Sequence, residues 1–248
     1  MAIFEIRPVG DRALTVEFGA VIDEEINRRV HALAAWITSR RMPGITELVP
    51  TYRSLLICYD PDVLSYGRLK RRLERFDPSC ISDGAEKRRI LEVPCCYGGE
   101  FGPDLGDMES LTGLSAEEIV RVHSGVDYRI YMLGFLPGFV YLGGLDGRIE
   151  APRLSSPRKA IPAGSVGIGG NQTGVYPMAS PGGWRLIGRT PIPFYDPASA
   201  QPILCKAGEF IRFVPVSPEE YAKIGRSVAD GSYRPKFIEA EGGHGGCR

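Results

Sequence analysis

A block rich in glycine and proline, between Gly134 and Pro193, places the strongest constraint on how this chain can fold. It holds 13 Gly and 8 Pro in 60 residues, a composition typical either of disordered low-complexity segments or of structures built from many turns. Aromatic residues are interleaved with it, namely Phe135, Phe139, Tyr141, Tyr176 and Trp184. Because these side chains supply the apolar area that disordered segments lack, the block predicts a turn-rich β region with a fixed backbone path.

Overall charge and composition exclude several classes of protein. Lys+Arg and Asp+Glu are both 30 among 248 residues, so no net field attracts nucleic acid or anionic lipid. No apolar run reaches the length of a membrane span, and residues 1–7 lack the apolar core of a signal peptide. Six cysteines show neither C-x-x-C spacing nor the density of a disulfide scaffold. We therefore expect a reduced, cytoplasmic protein that binds neither nucleic acid nor membrane.

Residues 1–86 carry the pattern of a small α/β domain. Its predicted strands include 13–18, 45–50 and 54–59, a helix is predicted at 22–37, and residues 90–93, just beyond, are predicted to add a further strand. A second helix is predicted to open at Asp60–Pro61, because Asp suits an N-cap and Pro the first helical position. The order β-β-α-β-β-α-β predicts two helices on one face of an antiparallel sheet, in a ferredoxin-like arrangement.

Residues 87–233 have the pattern of a second, β-rich domain. Two capping boxes, Ser115 to Glu118 and Ser217 to Glu220, predict helix starts. Short β runs are predicted at 128–135, 165–168, 173–176, 184–187 and 210–215. Many short strands separated by turns indicate a β-barrel-like domain, followed by a disordered tail at 234–248.

Familiar catalytic and phosphate-binding motifs are missing or incomplete. Of three histidines, only His123 is a plausible site residue, although its place at a helix end favours a structural role. Cys95 and Cys96 are adjacent and cannot chelate zinc in the usual geometry, so buried structural cysteine is favoured while a nucleophilic role stays open. The glycines at 164–174 fail the dinucleotide spacing, and Arg189 replaces the lysine of a phosphate loop. No metal site is predicted.

Several polar side chains stand among the rigid turns and form the best candidate site. Arg153 and Arg158 each follow a proline, which limits their backbone freedom and suits bidentate binding of a carboxylate or carbonyl group. Gln172 can both donate and accept, as an amide or ureido ligand requires, and Ser165 lies in the same block. Together they indicate a site for a small polar ligand or a partner surface.

Long motifs then identify a family. They are Gly134-Phe135-Leu136-Pro137-Gly138-Phe139-Val140-Tyr141-Leu142, Ile161-Pro162-Ala163-Gly164-Ser165-Val166, Gln172-Thr173-Gly174-Val175-Tyr176-Pro177 and Ser180-Pro181-Gly182-Gly183-Trp184-Arg185-Leu186-Ile187-Gly188-Arg189-Thr190-Pro191. Gly10-Asp11-Arg12-Ala13-Leu14 and Tyr52-Arg53-Ser54-Leu55-Leu56 extend the match upstream, so that it covers residues 3 to 225. The chain resembles the family of bacterial 5-oxoprolinase B subunits, also labelled kinase inhibitor KipI or allophanate hydrolase subunit 1.

The resemblance implies an α+β fold in which the N-terminal α/β domain precedes a cyclophilin-like β-barrel. It implies a 5-oxoprolinase complex with a C subunit (KipA-like) and an A subunit, which hydrolyses ATP and opens the lactam of 5-oxoproline to L-glutamate. The chain alone is expected to be inactive, and whether ATP contacts it stays open. Related regions form part of urea carboxylase, and some members inhibit a sporulation histidine kinase.

Roles for individual residues follow as hypotheses. Arg153, Arg158, Gln172 and Ser165 are expected to bind the substrate, while His123 and Tyr176 position or protonate it. The alternative is a regulatory protein that docks on a histidine kinase through an apolar groove. That groove would be built from Phe135, Phe139 and Trp184.

Overall fold

A computed structural model describes residues 4–77 and 88–240. The chain divides into two compact units, Met1–Gly84 and Ala85–Arg248. The predicted domain boundary between residues 86 and 87 lies outside the described residues.

The N-terminal unit is an antiparallel four-stranded sheet with two helices. Its elements are β1 (Glu5–Val9), β2 (Ala13–Glu17), α1 (Glu24–Ser39), β3 (Ile45–Pro50), β4 (Ser54–Tyr59) and α2 (Tyr66–Leu73), and the strand order is β1-β2-β4-β3. Alternate residues of β2 and β4, such as Val16 and Ile57, are buried against Leu33 of α1 and Leu69 of α2. Both helices therefore contribute to one core on one face of the sheet.

Two details of this unit differ from the sequence-based expectations. The second helix begins at Tyr66, after a turn in which the Asp60 carboxylate accepts the backbone N–H of Asp62 at 3.2 Å. Strand β1 pairs with β2 and forms one edge of the sheet. Residues 90–93, predicted to be the last strand of this sheet, belong to the other unit. The ferredoxin-like arrangement is therefore not confirmed.

The second unit is built around a closed β-barrel. Its strands are β5 (Arg88–Tyr97), β6 (Asp127–Leu133), β7 (Val140–Gly143), β8 (Arg158–Ile161), β9 (Ser165–Gly169), β10 (Gln172–Val175), β11 (Ser180–Gly182), β12 (Arg185–Arg189), β13 (Phe210–Pro215) and β14 (Lys236–Ala240). Seven of them form the ring β12-β9-β10-β7-β6-β13-β5, which closes where Gly188 and Arg189 of β12 pair with Tyr97 and Cys96 of β5. The expected barrel is thus confirmed.

Among the described residues, three α-helices and three strands lie outside this ring, together with a short 3-10 helix at Gly147–Ile149. The helices are α3 (Leu105–Thr112), α4 (Ala116–Ser124) and α5 (Pro218–Ala229), and both predicted capping boxes form at the starts of α4 and α5. Strands β8 and β11 form a separate pair, and β14 pairs with β5. The prediction of a disordered tail from residue 234 is wrong for 236–240, because β14 there gains backbone hydrogen bonds from β5. Residues 241–248 lie outside the described residues.

The glycines of the Gly/Pro-rich block allow a tryptophan to lie against the barrel wall. Valine and isoleucine residues of β9 point into the barrel core, so Gly167 and Gly169 point outward, and so does Gly174 of β10. A Cβ atom at Gly169 would overlap the indole of Trp184, and one at Gly174 would come within 3.0 Å of it. Gly169 and Gly174 are therefore required because Trp184 packs directly against the backbone, and not because they form turns.

Candidate functional site

A cluster of aromatic and aliphatic side chains covers this part of the outer barrel wall, and we call it the aromatic cluster. Its buried members are Phe139, Ile161, Tyr176, Trp184 and Leu186. The Phe139 ring lies edge-on to those of Tyr176 and Trp184, with centroids 5.2 and 5.6 Å apart. Edge-to-face packing of this kind holds the rings in defined orientations. The cluster is therefore a rigid base for polar groups at its margin.

Arg153 and Arg158 lie at the margin of the aromatic cluster, next to Tyr176. Burial raises the pKa of the Tyr176 phenol, while a backbone hydrogen bond from Trp184 and the charges of both arginines act in the opposite direction. The Arg153 guanidinium carbon is 5.9 Å from the Trp184 ring centroid. Three of the residues predicted to contact substrate are therefore neighbours in the structure.

Arg158 is held in place by the buried carboxylate of Asp104, a contact that no local sequence pattern indicates. Asp104 accepts a 2.6 Å hydrogen bond from Arg158 Nη2 on one oxygen and a 2.6 Å bond from the Leu186 backbone N–H on the other. The Asp104 side chain is 5% exposed and that of Arg158 is 31% exposed. Among the described residues, Nη1 of Arg158 has no hydrogen-bond partner. Because Asp104 joins the guanidinium to β12, it limits the motion of Arg158.

The other two residues predicted to bind substrate lie on the same wall. Thr173 of β10 points into the barrel, so the preceding Gln172 points outward, on the face where Trp184 lies. Val166 of β9 points into the barrel core, so the preceding Ser165 also points outward. The Ser165 side chain is fully buried, and its hydroxyl has no partner within the described residues. Gln172 is half-buried.

His123 lies inside the barrel, on the opposite side of the wall from Tyr176. Its Nδ1 is 2.8 Å from the Tyr97 hydroxyl, and its Nε2 is 2.9 Å from the Thr173 hydroxyl. Thr173 donates its own proton to the Gly167 carbonyl at 3.0 Å, so it accepts from Nε2–H, and Nδ1 accepts from Tyr97. Burial lowers the pKa of His123 to about 3. The two predicted catalytic residues are thus separated, and the geometry of His123 is that of a neutral core histidine.

The adjacent cysteines are poor nucleophiles. Burial raises the pKa of the Cys95 thiol, which lies in the barrel core. The pKa of Cys96 is also raised, first by burial and then by the charges of Glu219 and Glu100. A catalytic thiol needs the reverse shift, so both cysteines act as small core residues. Within residues 4–77 and 88–240, no three His, Cys, Asp or Glu side chains are grouped so that they could hold a metal ion.

Of the three residues predicted to contact a partner, only Phe135 is well exposed. Its side chain is 63% exposed, whereas Phe139 and Trp184 are 2% and 4% exposed. The prediction that Phe139 and Trp184 line an exposed groove is therefore wrong, because their rings are buried in the aromatic cluster. Phe135 has φ +64°, a left-handed conformation that costs a non-glycine residue about 1–2 kcal/mol.

Comparison with known proteins places the chain among the components of larger enzymes. A family model described as carboxyltransferase domain, subdomain C and D, matches residues 4–205. The chain is 45% identical over 228 residues to the 5-oxoprolinase B subunit of Bacillus subtilis, with 88% of this chain and 95% of that protein covered. It is 41% identical over 208 residues to the 5-oxoprolinase B subunit of Escherichia coli O157:H7, covering 84% and 94% of the two proteins.

A solved structure shares the fold within a longer polypeptide. The crystal structure of TTHA0988 matches with a TM-score of 0.74 and 38% sequence identity, over 83% of this chain. The present chain spans only 40% of the length of that protein. No helix among residues 4–77 and 88–240 has the length and apolar character needed to cross a bilayer.

Proposed function

The chain belongs to the family of the 5-oxoprolinase B subunits, and we propose that it fills that place in an ATP-dependent complex. In this reaction water adds to the lactam carbonyl of 5-oxoproline, the ring C–N bond breaks, and the nitrogen takes up a proton to give L-glutamate. Hydrolysis of ATP by the complex drives the opening. The observation that carries the proposal is 45% identity over nearly the full length of the Bacillus subtilis protein.

Among the described residues of the barrel unit, the arginines can bind a substrate but His123, Cys95 and Cys96 are not activated, which supports a subunit that needs partners for turnover. Within the described part of that unit, His123 is the only histidine, and its side chain is neutral and fully buried. The pKa values of the Cys95 and Cys96 thiols are raised. An activated nucleophile or base is thus expected from another polypeptide of the complex. The A and C subunits of 5-oxoprolinase are the proposed partners, and the wall around the aromatic cluster is the surface they would complete.

Individual roles follow from the position of each group at the aromatic cluster. Arg158, held by Asp104, and Arg153 are proposed to bind the substrate carboxylate, for which a planar guanidinium is well suited. Gln172, which is half-buried, is proposed to contribute hydrogen bonds to the lactam amide. Tyr176 and Ser165 are 2% and 0% exposed, so they are proposed to support the wall beneath the substrate and not to contact it. His123 is left out of the chemical step and assigned to the barrel core.

Reconstitution tests the function directly. The chain is combined with the A and C subunits, and 5-oxoproline-dependent release of phosphate and glutamate is measured. We expect turnover only when all three polypeptides are present. Equal glutamate formation without this chain would contradict the proposal.

A pair of neighbouring variants tests the substrate site. Arg158→Lys keeps a positive charge beside Asp104 but loses the planar fork, so KM for 5-oxoproline is expected to rise about tenfold. The matched control is Lys159→Ala, an exposed residue adjacent in β8, for which no change is expected. An unchanged KM in Arg158→Lys would remove Arg158 from the substrate site.

A further inference from the structure

We propose that Arg185 is a positioning residue that sets the direction in which Arg153 presents its guanidinium to the substrate. The inference rests on the proposed function, since it takes Arg153 to bind the carboxylate of 5-oxoproline. Arg185 does not touch the substrate in this assignment. It acts on the peptide group that joins Pro152 to Arg153.

The segment that carries Arg153 lies on the surface of the barrel unit. Residues 152–154 belong to no helix or strand, and both Pro152 and Arg153 are exposed. Backbone of this kind is normally mobile, because it lacks the hydrogen bonds of a sheet or a helix. A binding group must be held near its productive geometry, so a rigid site needs another source of order at this position.

Hydrogen bonds fix the peptide groups on both sides of Arg153. The Pro152 carbonyl, in the peptide group before Arg153, accepts from Arg185 Nε at 3.0 Å. The Leu154 N–H, in the peptide group after Arg153, donates to the Gly183 carbonyl at 2.7 Å. Because both flanking peptide planes are held, the φ and ψ angles of Arg153 are restricted, and the direction of its side chain with them. The first of these bonds comes from a side chain, so a substitution can remove it.

Arg185 is itself held in an orientation that suits this role. Its side chain is 14% exposed, and its Nη1 lies 3.4 Å from the Asp107 carboxylate of helix α3. A guanidinium is planar, so an ion pair at Nη1 also sets the direction of the Nε–H group. Asp107 is 66% exposed, so the pair orients Arg185 but adds little to stability. The start of helix α3 thereby supports both proposed carboxylate-binding arginines, since Asp104 holds Arg158 directly. Arg185 extends that support to Arg153.

Arg185→Lys removes the contact while keeping the charge. The single nitrogen of lysine cannot hold Asp107 and the Pro152 carbonyl in the geometry of the guanidinium. In the reconstituted complex we expect KM for 5-oxoproline to rise about fivefold, with kcat and KM for ATP within about twofold of wild type. A residue that served only the fold would lower kcat through loss of folded protein and leave KM unchanged. The matched control is Arg212→Lys, which alters the ion pair with Asp127 in the same unit and should leave KM unchanged.

A double-mutant cycle tests whether Arg185 acts through Arg153. Arg153→Gln alone should raise KM, and adding Arg185→Lys should then produce no further rise. An equal rise from Arg185→Lys in both backgrounds, or no rise in either, would overturn the positioning role. An unchanged KM in Arg153→Gln would remove Arg153 from the substrate site and overturn the inference, while the proposed place of the chain in the complex would stand. Absence of turnover with the wild-type chain would overturn the proposed function itself.

Hydrogen exchange of the full chain tests the backbone effect without any assay of activity. In Arg185→Lys the Leu154 amide hydrogen should exchange about tenfold faster, while the amides of β9 and β10 keep their wild-type rates. Unchanged exchange at Leu154 would show that Arg185 does not hold this segment. Faster exchange throughout the barrel unit, with a large drop in melting temperature, would assign Arg185 to the fold and overturn the proposal as well.

Discussion

Acidification is expected to destabilise the barrel through His123. The side chain is fully buried, and its pKa is about 3 in the folded protein compared with 6.5 for the free side chain. Between these two values the unfolded chain binds a proton that the folded chain does not, so stability falls as pH is lowered below 6.5. Linkage gives a loss of about 2 kcal/mol between pH 7 and pH 5 from this one residue.

The measurement is a comparison of wild type with His123→Gln. Glutamine is uncharged at both pH values and retains an amide that can hydrogen-bond to Tyr97 or Thr173, so other titrating groups cancel in the difference. Urea unfolding is followed by Trp184 fluorescence in a Trp36→Phe background, which makes the signal specific to the barrel unit. The stability difference between wild type and variant should shrink by about 2 kcal/mol on going from pH 7 to pH 5.

A parallel decline of the two proteins would refute this reasoning. It would mean that His123 titrates normally in the folded state, and therefore that the ring is reached by water or is stabilised in its charged form. Neither fits a ring whose two nitrogens are both engaged with hydroxyl groups and which stacks on Phe213 with centroids 4.6 Å apart.

Two further predictions concern the outer wall and its supports. Gly169→Ala places a methyl group in the space of Trp184 and should destabilise the barrel by about 1–3 kcal/mol in urea unfolding, whereas Gly106→Ala, with open space in helix α3, should be neutral or slightly stabilising. Equal effects of the two alanines would contradict close packing at the wall. Asp104→Asn removes the charge that holds Arg158, so KM for 5-oxoproline in the reconstituted complex should rise, with a smaller effect on kcat. An unchanged KM would show that Asp104 serves folding alone.

Local features were predictable because they depend on neighbouring residues. The capping boxes at Ser115 and Ser217 form as expected, since each needs only a hydroxyl and a glutamate three residues later. The alternation in residues 13–17 likewise gives β2, with Leu14 and Val16 buried. The family motifs were sufficient to identify the relatives to which the chain is similar.

Pairing between distant segments cannot be predicted from local sequence patterns. Residues 90–93 have the pattern of a strand, but nothing local says that Leu91 pairs with Ile211, more than a hundred residues later. The sequence pattern therefore predicts the strand but places it in the wrong sheet. Asp104 was missed for the same reason, because its partners Arg158 and Leu186 lie far along the chain.

The turn-rich β character of the Gly/Pro block, the starts of α4 and α5 and the family follow from the sequence alone, whereas the start of α2 does not. The side of the barrel wall on which each residue lies depends on how the strands pair in the folded protein. One residue of offset in a strand reverses the side on which its side chain lies, so Thr173 reaches His123 in the core while its neighbours face outward. That choice depends on barrel closure, which separated His123 from Tyr176 and left Arg153, Arg158 and the exposed ring of Phe135 around one aromatic cluster.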